Sequence, residues 1–204
     1  MIRERLRRTP GPRPLACALI LAGLPLGAWA YASRDPEPAA APSAAASKAA
    51  FLEAYKVLMH PRCMNCHPAG DRPLQGDDSH EHAQNVKRGP DGKGLYALKC
   101  ANCHQFTNLP GPNMPPGNPN WHLPPADMPM VFQGLTPGEL ARSLKDPKKN
   151  GGKTLDQILH HVTEDKLVLG GWDPGDGRTR PPLSHEDFAR KMREWIENGA
   201  VEPD

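Results

Sequence analysis

Apolar side chains recur at helical spacing in four stretches of this 204-residue chain, each with its own start or stop signal. Phe51, Leu52, Tyr55, Leu58 and Met59 fall on one face of a helix that Pro61 ends. Thr136, Pro137 and Glu139 form a capping box with proline at the first helical position. Thr154 caps a segment with Leu155, Ile158, Leu159 and Val162 on one side, and Ser184 caps another with Phe188, Met192, Trp195 and Ile196 that Gly199 stops. The stretches between these helices are polar or turn-forming. Asp77 to His82 reads as a surface loop, and Leu109 to Gly117 carries too many prolines for helix or central strand. The latter is expected to run extended and to end at Trp121, read as a packing residue. Gly170 to Gly177 is a turn-rich loop suited to covering a cofactor or meeting a partner.

The N-terminal pattern differs in kind. Arg3, Arg5, Arg7, Arg8 and Arg13 precede an apolar run from Leu15 to Trp29, and Ala28-Trp29-Ala30 and Ala30-Tyr31-Ala32 are small-x-small cleavage candidates. Residues 1–32 therefore read as a secretory signal peptide. The competing reading, an uncleaved anchor tethering the chain to the inner membrane, meets a run that is short for a span and interrupted by Pro25. Cys17 lies inside the apolar run and leaves with the peptide. Residues 33–47 are Ala/Pro-rich, without periodicity, and are expected to be a disordered spacer; residues 48–204 form the folded domain.

Removing residues 1–32 takes away five arginines and one glutamate, a net of four positive charges, and turns the formal charge from +2 to −2. A near-neutral chain without a clustered basic face gives no case for nucleic-acid binding. Twenty-five prolines, nineteen glycines and eleven aromatic residues make a loop-rich chain with little core material of its own.

The candidate chemistry supplies what is missing. Cys63-Met64-Asn65-Cys66-His67 is repeated thirty-seven residues later as Cys100-Ala101-Asn102-Cys103-His104. In each C-x-x-C-H, two thiols three apart can form thioethers to a haem's vinyl groups while the next residue brings an imidazole to the iron. Structural zinc and dithiol redox chemistry are the alternatives, and neither calls for a histidine directly after both pairs. The reading is two covalent haem c groups, and a fold that does not stand without them. All four cysteines beyond residue 32 are in the motifs, so no disulfide framework remains. So short a separation leaves no room for a complete monohaem domain before the second motif. The two haems are expected to share one fold.

Gly92 to Lys99 with its leucines and Tyr96, then the second motif, then Met128-Pro129 with Phe132 and Leu135 behind, resembles class I cytochromes c. Pro61 to Asp71, Met128 to Phe132 and the Gly-Gly-Trp-Asp-Pro-Gly run together resemble bacterial dihaem cytochromes c labelled isoquinoline 1-oxidoreductase subunits. The resemblance implies an all-α, cytochrome c-like fold of short helices and Pro/Gly-rich loops packed around two covalent haems. It also implies export to the periplasm and an electron-accepting role beside a dehydrogenase or molybdenum hydroxylase, with a further acceptor downstream. The chain shows neither an iron–sulfur cysteine pattern nor a recognisable pterin site.

His67 and His104 are the proximal ligands of this reading. Sixth ligands stay open: Met128 first and Met130 second at the second haem, with His161 as substitute; His82, His161 and His185 at the first, ahead of His60, His80, His122 and His160. Ligation decides function, since an empty sixth site permits peroxide chemistry whereas a filled one suits electron transfer. An electron carrier or oxidoreductase subunit is preferred over a dihaem peroxidase, because no distal acid–base pair can be picked out. A zinc module is the third reading.

Overall fold

The computed structural model describes Gly11 and residues 41–204. The signal-peptide reading of residues 1–32 falls outside them apart from Gly11. No described helix is long and apolar enough to cross a membrane.

Helix α1 spans Ala44–Leu58 and begins inside the segment expected to be a spacer. Two serines explain the earlier start. The Ser43 side chain accepts a hydrogen bond from the Ala46 amide, capping the helix. Ser47 is buried, donates to the Trp195 carbonyl at 2.9 Å and accepts from the Val201 amide at 2.9 Å. Ala50, Phe51, Ala54, Val57 and Leu58 then point inward, while Leu52, expected on that face, is exposed.

The remaining helices are α2 (Pro61–Met64), α3 (Pro137–Lys145), α4 (Leu155–Glu164), α5 (Lys166–Leu169) and α6 (His185–Glu197). The capping boxes at Thr136 and Thr154 are both formed, and Ser184 caps α6 as its position suggests. Helix α1 packs chiefly on α6, with Phe51 and Trp195 ring centroids 4.7 Å apart, and α4 closes the other side of α6. The core they bury runs through Val57, Leu140, Leu144, Ile158, Phe188 and Met192. Most of its apolar area comes from α1 and α6, far apart in sequence.

The helix-free middle of the chain holds two short antiparallel ribbons. β1 (Leu74–Gln75) pairs with β2 (His80–Glu81), and β3 (Gly94–Leu95) pairs with β4 (Leu98–Lys99). The second ribbon stands where the class I resemblance implies a helix before the second motif. Gly92 and Gly94 both have positive φ, and Tyr96 joins them at +48° in the ribbon's turn, so the segment cannot wind as a helix. At Gly92 the requirement is also steric, since a Cβ there would overlap the Leu123 carbonyl.

Candidate functional site

The first motif starts in the last turn of a short helix and the second follows a ribbon. His60 caps α2 through its ring nitrogen, Pro61 occupies the first turn, and Cys63 and Met64 complete the helix before Cys66 and His67 leave it. Cys100 to Asn102 form one turn of 3₁₀ helix, held at its start by the Cys100 amide donating to the Lys93 carbonyl. Each pair of cysteines is therefore on a single tight turn.

Both motif histidines have the same surroundings. His67 Nδ1 lies 2.7 Å from the Met130 carbonyl, and His104 Nδ1 lies 2.8 Å from the Pro116 carbonyl. A carbonyl can only accept, so each ring carries its proton on Nδ1 and leaves Nε2 as a bare donor, the form a metal binds. Each ring is also covered by an aromatic side chain lying nearly parallel to it. Phe132 stacks on His67 at 3.8 Å and Trp121 on His104 at 4.0 Å, both inclined by 8°. Burial drives His67 down to about 4 and lowers His104 in the same sense, so both stay neutral near pH 7.

Burial pushes the Cys63 thiol up to about 12 and the Cys66 thiol up to about 11 and raises that of Cys100; at the first pair a neighbouring thiol's charge adds to the rise and Arg62 opposes it. Among the described residues no three His, Cys, Asp or Glu side chains gather around a point where an ion could sit.

The two motifs meet at one cavity of about 420 Å³. Cys66 reaches it from the first motif, and Cys100, Cys103 and His104 from the second. Its walls are largely apolar, with Leu74, Val86, Leu98, Leu123 and Leu167 among them, and the loop at Gly170, Gly171 and Pro174 closes one side. That loop holds a turn of 3₁₀ helix at Gly170–Trp172 behind α5. Among the described residues three buried side-chain polar atoms lack a hydrogen-bond partner: Arg62 Nε, Asn65 Oδ1 and His82 Nδ1. All three residues line this cavity. Orphaned buried atoms cost about 1–3 kcal/mol each, so a space that gathers them is shaped for an occupant with polar groups as well as an apolar body. A haem fits that description.

The candidate sixth ligands fall into two places. His82 lines the cavity with His104, Cys66 and Asn65, and its charge adds to the lowering of His104. His161 lies close enough to His67 for its charge to add to that group's lowering, and its Nδ1 lies 3.1 Å from an Asp165 carboxylate oxygen. Met128 is not among the cavity residues and sits beside Gly151. The Met-Pro loop is instead tied to the first motif, through the Met130 carbonyl on His67 and the Phe132 amide donating to the His67 carbonyl. His185 presents Nε2 to the Val162 carbonyl, His60 is spent on its cap, His80 pairs with Asp78, His122 Nδ1 meets the Asn120 carbonyl, and His160 is exposed.

Arg88 carries no mark in the sequence, yet it is 2% exposed and holds this region together. It donates to the Pro124 and Gly70 carbonyls at 2.8 and 3.1 Å and, more weakly, to those of Pro129 and Pro68 at 3.4 Å. One guanidinium thus joins the loop after His67 to the segment carrying Met130. The stacking partners had a faint signal: Trp121 and Phe132 are the only aromatic residues between Phe106 and Trp172.

No protein family, characterised protein or solved structure matches this chain.

Proposed function

We propose that this chain is a dihaem c-type cytochrome that carries single electrons between a donor oxidoreductase and a further acceptor. The observation that carries the reading is the duplicated environment of His67 and His104, each with Nδ1 on a carbonyl, Nε2 free for a metal, and an aromatic ring stacked alongside. Each cysteine S–H adds across a vinyl double bond, sulfur to one carbon and hydrogen to the other, so attachment needs no external oxidant or reductant. The iron supplies a one-electron ferric/ferrous couple. The chain's own part is to fix two imidazoles, exclude water with leucine and proline walls, and bring the two motifs to one cavity so that electrons pass between them. His161 and His82 each accompany one proximal histidine, which supports six-coordinate iron and a carrier rather than a peroxidase.

In this reading the arginine-led apolar segment of residues 1–32 exports the chain, and the donor is a dehydrogenase or a molybdenum hydroxylase. The test is the mass of the matured protein under denaturing conditions, with its redox-monitored visible spectrum. Mass for two haems, with a low-spin spectrum unmoved by cyanide, is the expected result. A polypeptide without added mass overturns the proposal.

A further inference from the structure

The cavity shared by the two motifs is lined by three cationic side chains, Arg62, Lys99 and Arg178, and by no aspartate or glutamate. The Lys99 ammonium is occupied, donating to the Gly94 carbonyl at 2.6 Å. The two guanidiniums are less complete. The Arg62 side chain is 7% exposed; one of its terminal nitrogens donates to Asp77 at 2.6 Å and to the Gly76 carbonyl at 3.1 Å, and its buried Nε has no partner. Arg178 donates to the Pro174 carbonyl at 3.2 Å, and among the described residues no carboxylate lies within ion-pair distance of it. The charge of Arg62 acts on Arg178, and that of Arg178 acts on His104. Two neighbouring guanidiniums with one carboxylate between them leave positive charge uncompensated at a mostly apolar cavity. Such charge is costly unless an anion answers it.

We propose that Arg62 and Arg178 form a carboxylate cradle that receives ionised propionate groups of a haem tethered in this cavity. The proposal rests on the dihaem reading above and adds the residues that hold the acidic edge. Guanidinium and carboxylate match in shape and charge, and the open Nε of Arg62 is the donor such an edge-on contact uses. The apolar walls take the ring, the motif thiols anchor it, and the arginines receive its acidic groups. A cation held there also favours the ferrous form, so the pair raises the reduction potential of the haem it contacts.

The test uses the matured protein carrying Arg62→Gln, Arg62→Lys or Arg178→Gln. Denaturing mass spectrometry comes first: because attachment runs through the thiols, every variant retains the mass of two haems, and a wild-type chain without that mass sinks the dihaem reading itself. A spectroscopic redox titration with a chemical reductant, repeated across pH, then tests the cradle. Expected are a fall in the midpoint potential of one haem, the other unchanged, and movement of the pH-dependent part of that potential to higher pH in both glutamine variants. Arg62→Lys, keeping the charge, restores most of the fall; if Arg62 variants do not fold, Arg178→Gln at its half-buried site carries the test. Two haems by mass with unaltered potentials and pH profiles in both glutamine variants overturn the proposal. So does saturable binding of inorganic phosphate to the wild-type holoprotein that the glutamine variants lose, since the guanidiniums would then serve a free anion rather than a propionate.

Discussion

Trp121 lies face to face with His104, ring centroids 4.0 Å apart and planes inclined by 8°. With Nδ1 already committed to the Pro116 carbonyl, the indole removes the one remaining freedom of the imidazole, rotation about its side-chain bonds. Trp121→Leu is therefore expected to loosen the axial bond at one haem, seen as cyanide or imidazole binding that the wild type resists. Trp121→Phe retains a stacking face and should behave as wild type. The aromatic contact contributes about 0.5–1.5 kcal/mol beyond its buried area, so the leucine variant still folds. Equal ligand resistance in Trp121→Leu and wild type would show that the stack only packs.

The Arg88 side chain is a second point where one residue decides the arrangement of several loops. Its removal leaves carbonyls of Pro68, Gly70, Pro124 and Pro129 without their donor in a buried place. Hydrogen bonds from a charged donor contribute about 1.5–3 kcal/mol each, and two of the four are long, so Arg88→Met should cost about 3 kcal/mol or more. Arg88→Lys keeps the charge but not the planar fork and should recover only part. Thermal unfolding of the matured protein measures both. A loss below about 1 kcal/mol for the methionine variant would remove Arg88 from this role.

Ser47 tests where the domain begins. Its hydroxyl joins the start of α1 to the Trp195 carbonyl and the Val201 amide, and Ser47→Ala leaves both groups buried without that partner. The expected cost is about 1–3 kcal/mol. Removing residues 1–47 should destabilise the domain more than removing residues 1–42, which leaves the Ser43 cap in place. Equal stability of the two truncations would return the boundary to Lys48.

The helices were legible, and the two C-x-x-C-H motifs could be picked out as candidates, because both are local patterns. Capping boxes at Thr136 and Thr154 and the apolar stripe of α6 are complete within one or two turns of chain. What escaped was set by contacts between distant segments. An Ala/Ser-rich stretch reads as spacer until Trp195, 148 residues away, accepts from Ser47. The ribbon before Cys100 depends on Gly92 meeting Leu123, which no local window contains. The Met-Pro loop sits by resemblance after the second motif, yet its carbonyl hydrogen bond goes sixty-three residues back to His67. Residue type announced which groups could do the chemistry, and only tertiary placement paired them.

If the motifs carry haems as proposed, that pairing names His161 and His82 as the sixth ligands to test. His161 Nδ1 lies 3.1 Å from an Asp165 carboxylate oxygen one helical turn on, which leaves Nε2 as the nitrogen available to a metal. His82 has no such partner on Nδ1 and lines the cavity beside His104. His161→Ala and His82→Ala should each convert a different haem from low to high spin, whereas Met128→Ala, whose side chain is not part of the cavity lining, should leave both spectra as they are. Asp165→Asn removes the charge that makes the imidazole a better donor and should weaken the axial bond at the first haem, read as faster displacement by cyanide. Loss of a sulfur-to-iron band at the red end in Met128→Ala, with both histidine variants unchanged, would return the ligand to the Met-Pro loop and require that loop to move from its place on His67.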